Sequence, residues 1–246
     1  MKTYSTAFAF RRALEDRLAA AAKAEGIDLL RMRRQVSFYR LLVRLFAEGN
    51  RPWRLKGGYA LELKLAMART TWDLDLGLTA DGFAAADLLE VLQAAAGSDA
   101  GEFFVFTIGE PTMDLDGAPY GGSRQREPFE WIEPREWLGF AGMSAGMFPS
   151  ILREEHFAQK IHAYTLPRGE RPNTRVKDLV DLMLLIDAGG LERERLIRDL
   201  DDTFRRRKTH AVRRFWSLHP ISGCLCLESW PRSAALMAIL RCNSKR

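Results

Sequence analysis

An acidic pair inside an alternating run is the feature that most limits how this chain can fold. In the run WDLDLGL, residues 72–78, apolar side chains alternate with Asp73, Asp75 and Gly77. Side chains of a β-strand alternate between its two faces, so the pattern predicts a strand over 71–78 with both carboxylates on one face. Their Cα atoms would then be about 6.6 Å apart, a spacing at which two carboxylates can share a pair of Mg²⁺ ions.

Two glycines precede this strand at a predicted junction between a strand and a helix. Lys56, Gly57 and Gly58 lie between a short strand at 53–55 and a helix at 59–68. Glycines let the backbone approach a phosphate closely, and the start of a helix presents unpaired N–H groups. The order of these elements suits transfer of a nucleotidyl group, in which metal ions neutralise a polyphosphate. Each motif alone also has an explanation without a functional role. The aspartates can lie on the solvated face of an amphipathic strand, and the glycines can form a simple turn.

Helices are predicted on both sides of this stretch from apolar residues at helical spacing. They cover residues 6–24, 28–48, 83–96, 152–165, 174–187 and 191–207. A β-rich run at 103–108 predicts a buried strand, and residues 109–148, rich in Gly, Pro and charge, are predicted to be loop. We therefore predict an α+β fold in three parts. The parts are a core with N-terminal helices over 1–148, a helical subdomain over 149–210 and an atypical tail over 211–246.

The composition excludes several classes of protein. A chain of 246 residues with 47% hydrophobic residues can form a sizeable core without disulfides. Its three cysteines have no disulfide or zinc-site spacing, which predicts reduced thiols in a cytoplasm. The sequence has no run of about 18 apolar residues, so no membrane span is expected. The net charge of +5 favours anionic partners such as nucleotides or nucleic acid.

Two helices in the second half carry candidate site residues. Lys160 lies beside an apolar stripe of helix 152–165, where a lysine either finds a carboxylate or phosphate partner or extends its amine to the surface. Asp178 and Asp181 are three residues apart, hence neighbours on one side of helix 174–187. Acidic residues also favour the first turns of any helix through its dipole, so this pair has a structural explanation as well.

Other charged residues have weaker functional interpretations. The second helix carries five arginines, which form either a solvated face or a surface that contacts phosphates. These are Arg31, Arg33, Arg34, Arg40 and Arg44. A second aspartate pair, Asp114 and Asp116, is followed by Gly and Pro and is typical of a turn. The four histidines have no ligand spacing and are expected to be structural or exposed.

Three runs of the sequence together resemble the AbiEii/AbiGii toxin family. They are WRLKGGYALELKL with ARTTWDLDL, then EEHFAQKIHAYTLPRGERPNTRVKDLVDLMLLI, and the resemblance covers about residues 8–108 and 129–208. It implies a polymerase-β-like nucleotidyltransferase core, a small mixed sheet flanked by helices, with additional N- and C-terminal helices. It also implies a toxin of a toxin–antitoxin or phage abortive-infection system. Such a toxin uses a nucleoside triphosphate and Mg²⁺ (or Mn²⁺), and its implied partners are an RNA acceptor, tRNA in particular, and a winged-helix antitoxin.

The resemblance also implies two groups of site residues. The catalytic and metal-binding group consists of the paired acids, a lysine that contacts nucleotide phosphates and a late aspartate. These are Asp73, Asp75, Lys160 and Asp178, with Asp181 as a second candidate for the last position. The nucleotide-binding group consists of Lys56, Gly57, Gly58, Tyr59 and Lys160.

The chain departs from the family pattern at two places. After Tyr120–Arg124, related chains continue into a hairpin that bears a third aspartate, whereas here the sequence runs almost directly into Arg126–Trp131. The acidic residues near this gap are Glu127, Glu130 and Glu133. The tail after about residue 210 matches nothing expected of the family, and its composition is compatible with a shifted reading frame.

These observations leave three hypotheses. The first is an AbiEii-like nucleotidyltransferase. The second is a degenerate relative that binds nucleotide, RNA or a partner protein without catalysis, because losing a metal carboxylate removes electrostatic stabilisation of the transition state. The third is a nucleic-acid-binding module that uses the arginines of helix 28–48 and the basic run at 205–208.

Overall fold

The computed structural model describes residues 4–47, 53–65, 68–78, 85–110, 128–143, 146–170 and 172–211. The chain divides into two units, of which the first consists of Met1–Leu63 and Thr70–Ser150 and the second of Lys64–Arg69 and Ile151–Arg246. Within the described ranges, no helix is long and apolar enough to cross a membrane. Several residues discussed above lie outside those ranges: Asp114, Asp116, Glu127 and the tail from residue 212.

The described part of the chain forms helices and four short strands. The helices are α1 (Ala7–Glu25), α2 (Leu29–Leu45), α3 (Gly57–Lys64), α4 (Ala85–Gly97), α5 (Arg153–Thr165), α6 (Val176–Ala188) and α7 (Arg193–Arg207). The strands are β1 (Trp53–Lys56), β2 (Asp75–Leu78), β3 (Phe129–Ile132) and β4 (Phe148–Ile151). The predicted helices are all present, with ends that differ by a few residues.

The four strands form one mixed sheet in the order β2–β1–β4–β3. β1 runs antiparallel to β2, with Lys56 opposite Asp75, and parallel to β4, with Leu55 opposite Ser150. The buried hydroxyl of Ser150 donates a hydrogen bond of 2.8 Å to the carbonyl of Leu55, which reinforces the parallel pairing. A small mixed sheet with flanking helices confirms the predicted α+β class.

Side chains cap the starts of the first two helices, and a glycine ends the first. Thr6 accepts a hydrogen bond from the N–H of Ala9 at the start of α1, and Asp28 accepts one from the N–H of Arg31 at the start of α2. Gly26 ends α1 with a φ of +65°, a left-handed conformation that glycine adopts without strain.

Each unit has its own buried apolar side chains. In the first unit, α1, α2, α3 and β1 contribute most of the core. Its members include Phe10, Leu14, Leu18, Met32, Val36, Tyr39, Leu42, Trp53, Leu55, Tyr59 and Phe148. In the second unit, α5 packs against α6 and α7. Buried residues there include Phe157, Tyr164, Leu182, Leu185, Leu196, Leu200 and Phe204.

The prediction of a buried strand at 103–108 is wrong. This segment forms no strand, and Val105 is 90% exposed. The carbonyl of Phe104 accepts a hydrogen bond of 2.6 Å from Arg44 of α2. The carboxylate of Glu102, just before the segment, pairs with the same guanidinium. A buried guanidinium needs such acceptors, so it takes the carbonyl that a neighbouring strand would otherwise have used.

The loop predicted over 109–148 is only partly correct. It contains β3 and the first residue of β4, and Gly139–Ala141 form a short 3-10 turn. Ile132 and Phe148 are buried, at 5% and 1% exposed. Strands of four residues are too short to show a clear period, and the surrounding Gly, Pro and charged residues conceal them in the sequence.

Candidate active site

The candidate nucleotide site is built on the junction between β1 and α3. β1 ends at Lys56 and α3 begins at once with Gly57 and Gly58, so the glycines form the first turn of the helix. Gly57 has a φ of +70°, in the left-handed region that favours glycine. A Cβ added to Gly57 would lie 1.8 Å from Oδ2 of Asp75. The Asp75 carboxylate therefore lies directly against the glycine bend.

The start of α3 offers backbone N–H groups to an anion. The first N–H groups of a helix have no acceptor within it, and they lie at the positive end of the helix dipole. In α3 these groups belong to Gly57, Gly58 and Tyr59, beside the Asp75 carboxylate. A phosphate bound here would need positive charge to separate it from that carboxylate.

Tyr59 contributes its side chain to the core. It is 1% exposed, its hydroxyl donates a hydrogen bond of 3.2 Å to the carbonyl of Gln35, and its ring contacts that of Phe38 edge to face. Burial raises the pKa of the Tyr59 hydroxyl. The side chain of Tyr59 is therefore part of the core and not exposed to a ligand.

Lys56 shares a face of the sheet with Asp75. The two residues are opposite each other in the β1–β2 pair. Cδ of Lys56 would be 3.4 Å from a Cβ on Gly77, and Gly77 lies on the same face as Asp75 because it is two residues further along β2. An ammonium group and a carboxylate therefore share one face of the sheet beside the glycine bend.

Asp73 lies just before the strand and not within it. The strand predicted over 71–78 is observed only over β2, which begins at Asp75. Asp73 is exposed, and its N–H donates a hydrogen bond of 3.4 Å to Oγ1 of Thr71. The predicted alternation of side chains applies only within β2, from Asp75 onward. It therefore does not place Asp73 on the same face of the sheet as Asp75.

Trp72 does not continue the apolar face of β2. It was predicted to share that face with Leu74, which does pack against the core, but Trp72 is 70% exposed. The guanidinium of Arg34 lies over its ring, 4.5 Å from the ring centroid. A cation–π contact thus takes the place of core packing.

In the second unit, Lys160 contacts two aspartates of α6. Lys160 is 7% exposed, and its Nζ lies 2.6 Å from Oδ2 of Asp181 and 3.2 Å from Oδ1 of Asp178. A carboxylate or a phosphate was the expected partner of Lys160, and the structure shows carboxylates. Asp181, the second candidate for the late aspartate, is the closer of the two.

Arg69 belongs to the same cluster and was missed in the sequence. Its Nε and Nη2 each lie 2.9 Å from one oxygen of Asp181, a bidentate pair. On the other side, Arg175 lies 3.6 Å from Asp178. Arg69 stands in the run ARTTWDLDL that carries the family resemblance, but nothing in its spacing pointed to a partner in α6.

The acidic pair of the first unit has the donor chemistry that Mg²⁺ prefers. Asp73 and Asp75 supply hard carboxylate oxygens, and Mg²⁺ in proteins is commonly held by one or two carboxylates together with substrate phosphates and water. Among the residues that the structure describes, no group of three or more His, Cys, Asp or Glu residues could hold a metal ion. The carboxylate oxygens of Asp73 and Asp75 therefore fit a Mg²⁺ ion that is shared with a polyphosphate.

Glu130 and Glu133 do not replace the third carboxylate. β3, which contains Glu130, and β2 lie at opposite ends of the four-strand order. Three strand spacings, roughly 14 Å, separate them. Glu133 directly follows β3 and is equally remote from Asp75.

Four of the five arginines of α2 are used inside the first unit. They form ion pairs with glutamates of α1, of α3 and of the segment after α4. The pairs are Arg31–Glu62, Arg33–Glu15, Arg40–Glu102 and Arg44–Glu102. The hypothesis that this helix is a phosphate-contact surface therefore loses most of its support, and Arg34 is the exception.

Two of the histidines contact each other in the second unit. The rings of His162 and His210 are 4.8 Å apart, and Arg207 donates a hydrogen bond of 2.9 Å to Nδ1 of His162. Burial, together with the charge of Arg207, lowers the pKa of His162 to about 4, and burial lowers that of His210. Both shifts of the pKa favour the neutral form of the ring.

Comparison with known families identifies the chain. The family model for the nucleotidyl transferase AbiEii toxin of type IV toxin–antitoxin systems matches residues 40–241. This chain belongs to the AbiEii nucleotidyltransferase toxin family. No match was found among curated proteins.

The matched range differs from the range of the resemblance seen in the sequence. It begins at residue 40, so α1 and the first part of α2 precede it, and it runs past residue 210 to 241. The match thus includes most of the tail, whose sequence shows no resemblance to the family pattern.

Proposed function

We propose that this protein transfers a nucleotidyl group from a nucleoside triphosphate to RNA, with tRNA as the acceptor, and that Mg²⁺ (or Mn²⁺) serves the reaction. Membership of a nucleotidyltransferase toxin family supports the class of reaction. The observation that carries the choice of site is the contact between the Asp75 carboxylate and the Gly57 backbone. It joins an acidic residue to a helix N-terminus suited to phosphate.

In this proposal each residue of the glycine bend has a separate task. The N–H groups at the start of α3 bind phosphate oxygens, and Lys56 adds positive charge on the face that bears Asp75. Asp73 and Asp75 would hold the metal ion, which when bound neutralises the polyphosphate. Since a carboxylate and a phosphate repel each other, the nucleotide would bind at this bend only together with cations.

Lys160 and Asp178 are proposed site residues of the second unit. Lys160 has three N–H donors, and two carboxylates take two of them. The third is available for a phosphate oxygen. Asp178 and Asp181 would then hold the lysine in a fixed position rather than contact the nucleotide themselves.

The family also bears on partners and place of action. A toxin of a toxin–antitoxin system implies an antitoxin, and we propose a winged-helix protein encoded next to this chain. We further propose action in the cytoplasm, where tRNA is available, as part of abortive infection. Co-purification of the protein encoded by the neighbouring gene would test the first of these proposals.

A transfer assay tests the proposed function. The protein is incubated with labelled nucleoside triphosphates, tRNA and Mg²⁺, and label on the RNA is measured. Asp73→Ala and Asp75→Asn should each lower transfer by about 100-fold or more. The control is Asp16→Asn, which changes an exposed aspartate of α1 and should transfer like the unaltered protein. Absence of product with every nucleotide and metal would favour the inactive relative, and full transfer by either site variant would remove these acids from the site.

A further inference from the structure

Trp72 is an exposed tryptophan that the proposed reaction leaves without a task. It is 70% exposed, although the next apolar residue, Leu74, packs against the core and the preceding Thr71 is only 4% exposed. Another tryptophan of this unit, Trp53, is 1% exposed. Single exposed apolar residues are common at protein surfaces, so it is the surroundings of this ring that point to a ligand.

Arg34 fixes one face of this ring. Its guanidinium carbon lies 4.5 Å from the centroid of Trp72. The Nε and Nη2 atoms of Arg34 are buried and make no hydrogen bond to the described residues, unlike the neighbouring Arg31 and Arg33, which pair with glutamates. The contact with Trp72 therefore helps to hold the guanidinium of Arg34 in place.

Because Trp72 is 70% exposed while Arg34 lies over one face of its ring, the described residues leave most of the other face accessible. With the guanidinium on one face and most of the residue exposed, a flat ring can stack on the other face. Stacking on an aromatic side chain is a common way to bind a nucleobase, and it tolerates any base because every base has a π-face. A cation beneath the indole also adds positive charge near the phosphates of a nucleotide.

The position of Trp72 in the chain connects this platform to the candidate metal site. Trp72 immediately precedes Asp73, and Asp75 lies against the glycine bend. A nucleotide whose phosphates lie at that bend carries its base a few ångströms away, within reach of neighbouring residues. We propose that Trp72, backed by Arg34, is a stacking subsite for a nucleobase, either of the nucleoside triphosphate or of the RNA acceptor. This inference rests on the proposed function for the identity of its ligand.

Binding measurements with and without a base test the subsite. Calorimetry in Mg²⁺ compares three probes: a nucleoside triphosphate, inorganic tripolyphosphate and a single-stranded RNA oligonucleotide. Loss of one stacked base by alanine substitution weakens binding by about 10-fold. Trp72→Ala should therefore weaken the binding of the triphosphate or of the RNA by that factor and leave the binding of tripolyphosphate unchanged. Trp72→Phe keeps an aromatic ring and should retain most of the affinity. The probe whose affinity falls in Trp72→Ala identifies the source of the base.

A second exposed tryptophan provides the matched control. Trp131→Ala removes an indole that is 55% exposed on β3 and should bind all three probes like the unaltered protein. The proposal is overturned if Trp72→Ala binds both base-containing probes with full affinity, if it weakens tripolyphosphate equally, or if the unaltered protein binds neither base-containing probe. Because the readout is binding, failure of this subsite leaves the transfer assay as a separate test of the proposed function.

Discussion

Oδ2 of Asp75 occupies the space that a side chain on Gly57 would need, 1.8 Å from the position of its Cβ. Gly57 directly follows the last residue of β1, and Asp75 is the first residue of β2. Antiparallel pairing of these strands brings the acid and the bend together. The proposed site therefore depends on a backbone without a side chain at residue 57.

Replacing Gly57 should damage both the fold and the site. In Gly57→Ala, the alanine must keep a left-handed φ and displace the Asp75 carboxylate. The φ alone costs about 1–2 kcal/mol, so the free energy of unfolding should fall by more than that. Nucleotide transfer should be lost as well. Urea unfolding and the transfer assay measure the two effects.

A glycine with the same conformation and open surroundings separates the two causes. Gly101 has a φ of +66° and nothing within 4 Å of an added Cβ. Gly101→Ala should therefore lose only the conformational part of the free energy and keep its transfer activity. Equal losses of stability and activity in the two variants would mean that contact with Asp75 has no part in the requirement for glycine.

The cluster around Asp181 should be important for the stability of the second unit. Asp181 is 2% exposed and contacts both Lys160 and Arg69. Asp181→Ala removes one of the two carboxylates that Lys160 contacts and the bidentate carboxylate of Arg69. Breaking a buried pair in this way typically costs about 3–5 kcal/mol. Arg175→Ala, which removes a largely exposed cation from Asp178, should cost less than about 1 kcal/mol. Chemical unfolding of both variants tests this, and a loss for Asp181→Ala no larger than that for Arg175→Ala contradicts it.

The fold was more predictable from the sequence than the contacts within it. Helices α1 and α2 follow from apolar spacing, and residues able to cap them, Thr6, Gly26 and Asp28, stand at their ends. The segment 103–108 has the composition of a strand, but Arg44 takes its carbonyl. Local composition does not show such competition from a distant side chain.

The candidate site was predictable only where its residues are close in sequence. The glycine bend and Asp75 lie 18 residues apart (57 to 75) in one strand–helix–strand unit, so their order in the sequence indicates their contact. Arg69 and Asp181 are 112 positions apart, and no period or motif joins them. The exposure of Trp72 was missed because alternation was extended beyond the true start of β2.

Acid should destabilise the second unit through the buried His162. The pKa of His162 is about 4 in the folded protein, below its ordinary value of 6.5, so folding favours the neutral ring. The resulting stability is fully present above pH 6.5 and is lost as the pH falls towards 4. At 1.36 kcal/mol for each pKa unit, the loss is about 3 kcal/mol at most.

Urea unfolding between pH 4 and 7 measures this loss. His162→Gln keeps hydrogen-bonding groups but cannot titrate, so its free energy of unfolding should change less over this range than that of the unaltered protein. The same slope in both proteins would show that His162 is not the group responsible.

Metal-dependent nucleotide binding tests the central claim most directly. Calorimetry with a nonhydrolysable nucleoside triphosphate, in Mg²⁺ and then in EDTA, compares the unaltered protein with Asp73→Asn/Asp75→Asn and with the exposed-residue control Asp16→Asn. The unaltered protein and the control should bind more tightly in Mg²⁺, and the double variant should lose this metal-dependent gain. If the double variant keeps the full gain, these two carboxylates do not hold the cation at the Gly57 bend.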